Sequence, residues 1–137
     1  MAGAPAVRLL LDTHIWLWSL LEPQRLSRRV SKELADPANQ LWLSPISVWE
    51  TLILCQKGRL VLNEDPPAWI AKAMRASPVA EAPLNTEVAV ETAKIRLPHR
   101  DPADHFLVAT ARVLELTLVT ADDQLIQARQ ARVLASR

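Results

Sequence analysis

The sequence predicts a single α/β domain spanning residues 1–137, built on a central, mainly parallel sheet flanked by helices. Two features predict it. Short apolar runs at Leu9-Leu10-Leu11, Leu41-Trp42-Leu43 and Leu118-Val119 are of strand length and lack an alternating polar face, as strands covered on both sides do. Longer segments with helix caps lie between them, so strands and helices alternate along the chain. A length of 137 residues suits one core rather than two.

The elements follow in order. Residues 7–11 read as a strand that Asp12 ends, and residues 13–21 as a helix. A second helix spans residues 26–35, with Ser27 as cap and Asp36-Pro37 as stop. After the strand at residues 41–43, Ser44 is placed as an N-cap and Pro45 at the first helical position. That helix runs through Ile46, Trp49 and Ile53 to Gly58, a suitable C-terminal stop. Residues 66–76 predict a helix, 79–84 a strand and 86–95 a helix. Asp101-Pro102 opens a helix through Phe106, Val108 and Leu114. A strand at 117–120, a short helix at 122–129 and an edge strand at Val133-Leu134 complete the chain.

Composition excludes several classes. Only Gly3 and Gly58 are glycine, so no glycine-rich loop brings backbone amides against a phosphate. Cys55 is the sole cysteine, which excludes an internal disulfide and a multi-thiolate zinc site. No secretion signal or bilayer-length apolar stretch is read, so a cytoplasmic protein is expected. The net charge of +1 does not by itself announce a nucleic-acid binder. Local basic patches stand at Arg25, Arg28, Arg29 and Lys32, at Lys57 and Arg59, and at His99-Arg100. Each reads as a solvated face or as a phosphate contact.

The acids carry more information. In an open parallel sheet, functional side chains gather outside the carboxyl ends of the strands. Asp12 follows Leu9-Leu10-Leu11 directly, and Asp122 follows Leu118-Val119-Thr120, so both leave the sheet at one end. Asp104 lies in the first turn of the helix feeding the latter strand, and that helix begins at the same end. Glu50 sits in the second turn of the helix after residues 41–43. Clustered carboxylates raise each other's pKa, and a hard divalent cation such as Mg²⁺ or Mn²⁺ offsets the penalty. Such a cation activates water towards a phosphodiester and neutralises its oxygens.

Each acid also has a plain structural explanation. Asp12 suits an N-cap, and Glu50 matches a capping box with Ser47, although a start at Ser44-Pro45 puts it too deep in the helix for that. Asp101 and Asp104 fit a dipole-favoured helix start, with Asp101 either cap or supporting acid. Asp122 and Asp123 fit another, and capping suffices for Asp123.

At these residues the chain resembles the PIN-domain ribonucleases, specifically the VapC-type toxins of bacterial and archaeal toxin–antitoxin pairs. The matching pieces, in the family's order, are Leu9-Leu10-Leu11-Asp12-Thr13-His14, Ser47-Val48-Trp49-Glu50 and Lys57-Gly58-Arg59-Leu60. His99-Arg100-Asp101-Pro102-Ala103-Asp104, Leu107-Val108-Ala109-Thr110-Ala111 and Leu118-Val119-Thr120-Ala121-Asp122 follow. The resemblance implies a PIN-like three-layer sandwich, with Asp12, Glu50, Asp104 and Asp122 holding Mg²⁺ or Mn²⁺ directly or through water. It implies Thr120 as a supporting hydroxyl, RNA as substrate (often tRNA or rRNA), inhibition by a small VapB-type antitoxin, and a homodimer. Arg100, His105, Lys57 and Arg59 become candidate RNA contacts. Two departures stand out: His105 where this subgroup commonly has Arg, and Ala103 where an aromatic is common.

Two competing functions are weaker. An aspartyl-phosphate phosphohydrolase would carry an Asp-x-Asp pair, and this chain reads Asp12-Thr13-His14. A non-catalytic PIN-like binding module would be expected to have lost an acid. Trp16, Trp18, Trp42, Trp49 and Trp69 are expected in core or interface packing. Residues 15–21 are apolar almost all round, so a second chain is expected to cover part of that helix. His14 is left without a role, and Cys55 is read as a small core residue.

Overall fold

The computed structural model describes residues 7–98 and 101–137. Strand β1 (Arg8–Leu11) leads into α1 (Thr13–Leu21), a 3₁₀ turn (Pro23–Arg25) and α2 (Arg28–Ala35). Next come β2 (Gln40–Leu43), α3 (Pro45–Gln56), α4 (Pro66–Ala76) and β3 (Ala80–Glu81). Then α5 (Thr86–Glu91), α6 (Pro102–Leu114), β4 (Thr117–Thr120), α7 (Asp123–Ala128) and β5 (Val133–Ala135) follow. The sheet order is β3-β2-β1-β4-β5, and all four pairings are parallel.

The local signals act as their chemistry dictates. Ser27 Oγ caps α2 by accepting from the Val30 amide at 3.2 Å, and Ser44 Oγ caps α3 from the Ile46 amide at 3.1 Å. Gly58 has φ +69°, the left-handed geometry that ends α3, and Arg59 N–H returns to Leu54 O at 2.9 Å. Strand β3 is shorter than expected. Ala82 N–H still reaches Leu43 O at 2.9 Å, but β2 ends at Leu43, where the chain turns into α3, so the ladder has no further partner. The helix expected over 86–95 relaxes into a 3₁₀ turn at Thr92–Lys94.

Strand alternation sorts the apolar residues into two cores, one on each side of the sheet. Leu10 and Leu118 face Val88 of α5 and Leu107, Val108 and Ala111 of α6. Leu9, Leu11, Leu43 and Val119 face Ile15, Trp16 and Leu17 of α1 and Val30 of α2. Burying one such side chain contributes roughly 1.5–3 kcal/mol, which makes the buried apolar residues of β1 and β4 the main anchor of the fold.

Helix α1 is covered in large part from within the chain. Ile15, Trp16 and Leu17 are buried inside this chain, Trp18 and Leu20 are partly covered, and within the helix Leu21, at 41% exposure, is the large apolar residue left open. Trp69 of α4 supplies part of the cover, its ring 5.9 Å from that of Trp16. Trp18, Leu20 and Leu21 keep apolar surface open on this helix. Trp49 departs from packing in the opposite direction, being 53% exposed. No helix among the described residues is long and apolar enough to cross a membrane.

Candidate metal centre

The strand order reverses direction at β1 and β4: the chain steps from β1 outward to β3, then returns to the other side of β1. Such a switch point leaves a crevice at the carboxyl ends of the two strands. Leu11 is in register with Val119, and Asp12 N–H continues the ladder to Val119 O at 3.0 Å. Asp12 and Thr120 therefore stand side by side where β1 and β4 end.

Asp12 is buried, and both its oxygens are engaged. Oδ1 accepts from the Thr13 amide at 2.7 Å, capping α1, and Oδ2 accepts from Thr120 Oγ1 at 2.6 Å. Burial pushes its carboxyl above the ordinary value. The Thr120 hydroxyl, the Thr13 amide and nearby His14 oppose that shift, while Asp122 adds to it. Capping and site-building are thus one role of this carboxylate.

Glu50 points from α3 towards the same place. Thr13 Oγ1 lies 2.5 Å from Glu50 Oε1 and 2.9 Å from the buried Ser47 Oγ. Thr13 has one hydroxyl proton, which goes to the carboxylate, leaving Ser47 to donate to Thr13. Burial pushes Glu50 up to about 7. The Thr13 hydrogen bond opposes the shift, and Asp12, Asp101 and Asp104 reinforce it. Ser47 serves Thr13, and the capping-box alternative does not describe the contact found.

The remaining acids arrive on helix starts. Asp104 is buried in the first turn of α6, and Asp101 caps that helix by accepting from the Ala103 amide at 3.0 Å. Asp122 caps α7, its Oδ1 accepting from Gln124 N–H at 2.8 Å, while its own N–H donates to Thr120 Oγ1 at 3.0 Å. Asp123 faces away and pairs with Arg137 at 3.0 Å.

Asp12, Glu50, Asp101, Asp104 and Asp122 line one cavity of about 420 Å³. Among the described residues no lysine or arginine forms an ion pair with Asp12, Glu50 or Asp122. Nor does any group of three acids, histidines or cysteines stand close enough to enclose a metal ion unaided. The five carboxylates supply anionic oxygen donors, with His14 and Arg25 also on the walls and room for water between them. That chemistry fits a hydrated hard cation, bridged by water to part of its shell.

A second, larger cavity of about 800 Å³ adjoins the first and shares His14, Glu50 and Asp101 with it. Its walls carry Trp49, Ile53, Leu54, Leu84 and Phe106, with Lys57 and Arg59 also lining it. His105 is not brought to the acids. Its ring Nδ1 lies 3.0 Å from Asp101 O, and it lines a separate groove with Arg96 and Phe106. Arg100 lies outside the described residues. Sequence reading gave Thr13 no role. Its signal was its place beside Asp12, but only the fold shows that its hydroxyl reaches Glu50.

A family model for the PIN domain matches residues 9–131, and the chain belongs to the PIN-domain family. In sequence it is 32% identical to Ribonuclease VapC22 of Mycobacterium tuberculosis over 127 residues, covering 90% of this chain and 94% of that one. FitAcB from Neisseria gonorrhoeae is a structural neighbour at 26% identity and TM-score 0.63, covering 92% of this chain and 96% of that one. VapBC2 from Rickettsia felis, solved bound to a DNA fragment from its promoter, has the same fold. It matches with TM-score 0.71 at 14% identity, covering 96% of this chain and 100% of that one. The three-layer sandwich expected from the sequence is the fold found, with a sheet that is wholly parallel.

Proposed function

We propose that this chain is an endoribonuclease of the VapC type, the toxin of a toxin–antitoxin pair, hydrolysing RNA phosphodiesters with Mg²⁺ or Mn²⁺. The observation that carries the reading is the shared cavity. Five carboxylates from four separate segments line it, and among the described residues no lysine or arginine pairs with Asp12, Glu50 or Asp122. The 32% identity to a ribonuclease over most of the chain supports the choice of RNA.

Asp12, Glu50, Asp104 and Asp122 would hold the cation, directly or through water, and the cation supplies Lewis-acid charge for attack by water on phosphorus. The protein's own contributions are specific. Thr120 orients Asp12 and ties it to the Asp122 backbone. Thr13 fixes the Glu50 carboxyl, which at a pKa near 7 is able to exchange a proton with water at neutral pH. Asp101, at the rim of both cavities, supports the α6 start that carries Asp104. Lys57 and Arg59 line the route by which a polyanion would approach.

A small VapB-type antitoxin is the proposed partner, and the apolar groove beside the acids supports this, since a peptide segment lying there would close the approach. Structural neighbours described as a member of the VapBC family of toxin–antitoxin systems and as a toxin–antitoxin complex support the pairing. A cytoplasmic location and a homodimer belong to the same reading.

Purified protein incubated with total RNA should cut it with Mg²⁺ or Mn²⁺ and stop on addition of EDTA. Chelator-insensitive cutting, or full activity in Asp104→Asn, would overturn the mechanism. Sedimentation at micromolar concentration tests the dimer, and relief of growth arrest by a co-expressed small neighbouring protein tests the antitoxin.

A further inference from the structure

We infer that Arg25 is a substrate-positioning residue that binds a phosphate of the RNA strand flanking the one being cut, an inference that rests on the ribonuclease reading. Of the basic patch Arg25, Arg28, Arg29 and Lys32, the fold separates one member. Arg25 ends the 3₁₀ turn after α1 and lines the acidic cavity, whereas the other three lie on α2 and do not. It is the one arginine or lysine among the described residues that does so.

Its surroundings hold it ready rather than consume it. The guanidinium carbon lies 4.3 Å from the centroid of the half-buried Trp18 ring, over its face, a cation–π contact that holds the group beside the cavity. Glu22 Oε2 accepts from Arg25 Nη1 at 3.4 Å, and both side chains are about half exposed, so this pair is weak. A guanidinium has five N–H donors, and among the described residues Glu22 is the sole partner of its side chain. An arginine placed to neutralise the cavity would pair with a cavity acid, and Arg25 pairs with none.

Charge balance says what such a group is for. A cation among the acids offsets charge at one phosphate, but the neighbouring phosphates of the strand still meet a carboxylate-lined wall. A planar guanidinium fork held beside that wall suits a phosphate oxygen pair, and its contact with Trp18 lowers the ordering cost of binding it. Trp18 thereby acts through Arg25.

The test compares wild type with Arg25→Gln, Arg25→Lys and, as control, Arg28→Gln. Binding of a fluorescein-labelled, random-sequence single-stranded RNA is followed by anisotropy in Ca²⁺ across a salt series, with the RNA checked for integrity afterwards. Arg25→Gln should weaken binding about tenfold and flatten the slope of log K against log salt by about 0.7, the share of one phosphate contact. Arg25→Lys should keep most of the slope, and the urea midpoint should not move in any variant. In cleavage, KM should rise and kcat should hold. Binding and slope in Arg25→Gln matching those of Arg28→Gln, with wild type still cutting RNA, would overturn the inference alone. A wild type that neither binds nor cuts RNA would remove the ribonuclease reading and this inference with it.

Discussion

Where β1 and β4 end, Thr120 Oγ1 donates to Asp12 Oδ2 at 2.6 Å and accepts the Asp122 N–H at 3.0 Å. One buried hydroxyl thus joins two acids that lie 110 positions apart. Thr120→Val keeps the shape and removes both bonds. The orphaned Asp122 N–H should cost about 1–3 kcal/mol of stability. Manganese affinity, read by calorimetric titration, should fall about 10–100-fold, the usual effect of removing a hydrogen bond from behind a ligand. Thr120→Ser should restore most of it, and an unchanged affinity in Thr120→Val would remove the hydroxyl from the site.

Asp12 is held buried against its own preference for the neutral form. In EDTA at pH 8, Asp12→Asn should therefore be as stable as wild type or more stable by about 1–2 kcal/mol, while losing cleavage. Its amide oxygen still accepts from the Thr13 amide, so the α1 cap survives. Urea denaturation with and without Mn²⁺ checks this. Wild type should gain stability from the ion and the variant should not. A variant that unfolds outright in EDTA would show that the Asp12 carboxylate and its bond from Thr120 stabilise the metal-free fold.

The pH dependence has a definite sign. Glu50 is raised from 4.5 to about 7 in the folded protein, so the native state holds the proton more tightly than the unfolded chain. Metal-free stability from this group is complete below pH 4.5 and is lost as pH rises towards and through about 7. Asp12, raised as well, acts in the same direction. The drop in unfolding free energy between pH 5 and pH 8 should shrink in Glu50→Gln, and equal drops in the two proteins would show that the carboxyl is not destabilised. The thermal shift given by Mn²⁺ should be larger at pH 8, because protons compete with the ion for these oxygens.

Gly58 offers a cleaner backbone experiment. A Cβ there meets nothing within 4 Å, yet φ is +69°. Gly58→Ala should cost about 1–2 kcal/mol through left-handed strain alone, with cleavage per folded molecule unchanged. Chemical denaturation measures it, and a loss of activity without loss of stability would mean that this turn shapes the groove at Lys57 and Arg59.

Legibility tracked distance along the chain. Leu9-Leu10-Leu11, the Ser44-Pro45 start and the Gly58 stop are local patterns, and the elements they predict are those found, with β3 cut short where β2 ends. The acids were legible because a parallel topology sends strand ends and helix starts to one side. The Thr13 hydroxyl between Ser47 and Glu50 was not, since it depends on how α1 and α3 pack together. Residues 15–21 were legible only in part for the same reason: an all-round apolar helix declares that it must be covered, but not that α4 of the same chain provides part of the cover.

By itself, then, the sequence determined the α/β class, the order of elements and the identity of the acids, because caps, apolar runs and strand-end carboxylates are properties of neighbouring residues. Only the tertiary structure decided that Asp12 shares the Thr120 hydroxyl, that Arg25 rather than Arg28 stands at the cavity, and that His105 turns to another groove. Those outcomes depend on helix rotation and strand register. Packing of distant side chains sets both, and no stretch of neighbouring residues encodes them.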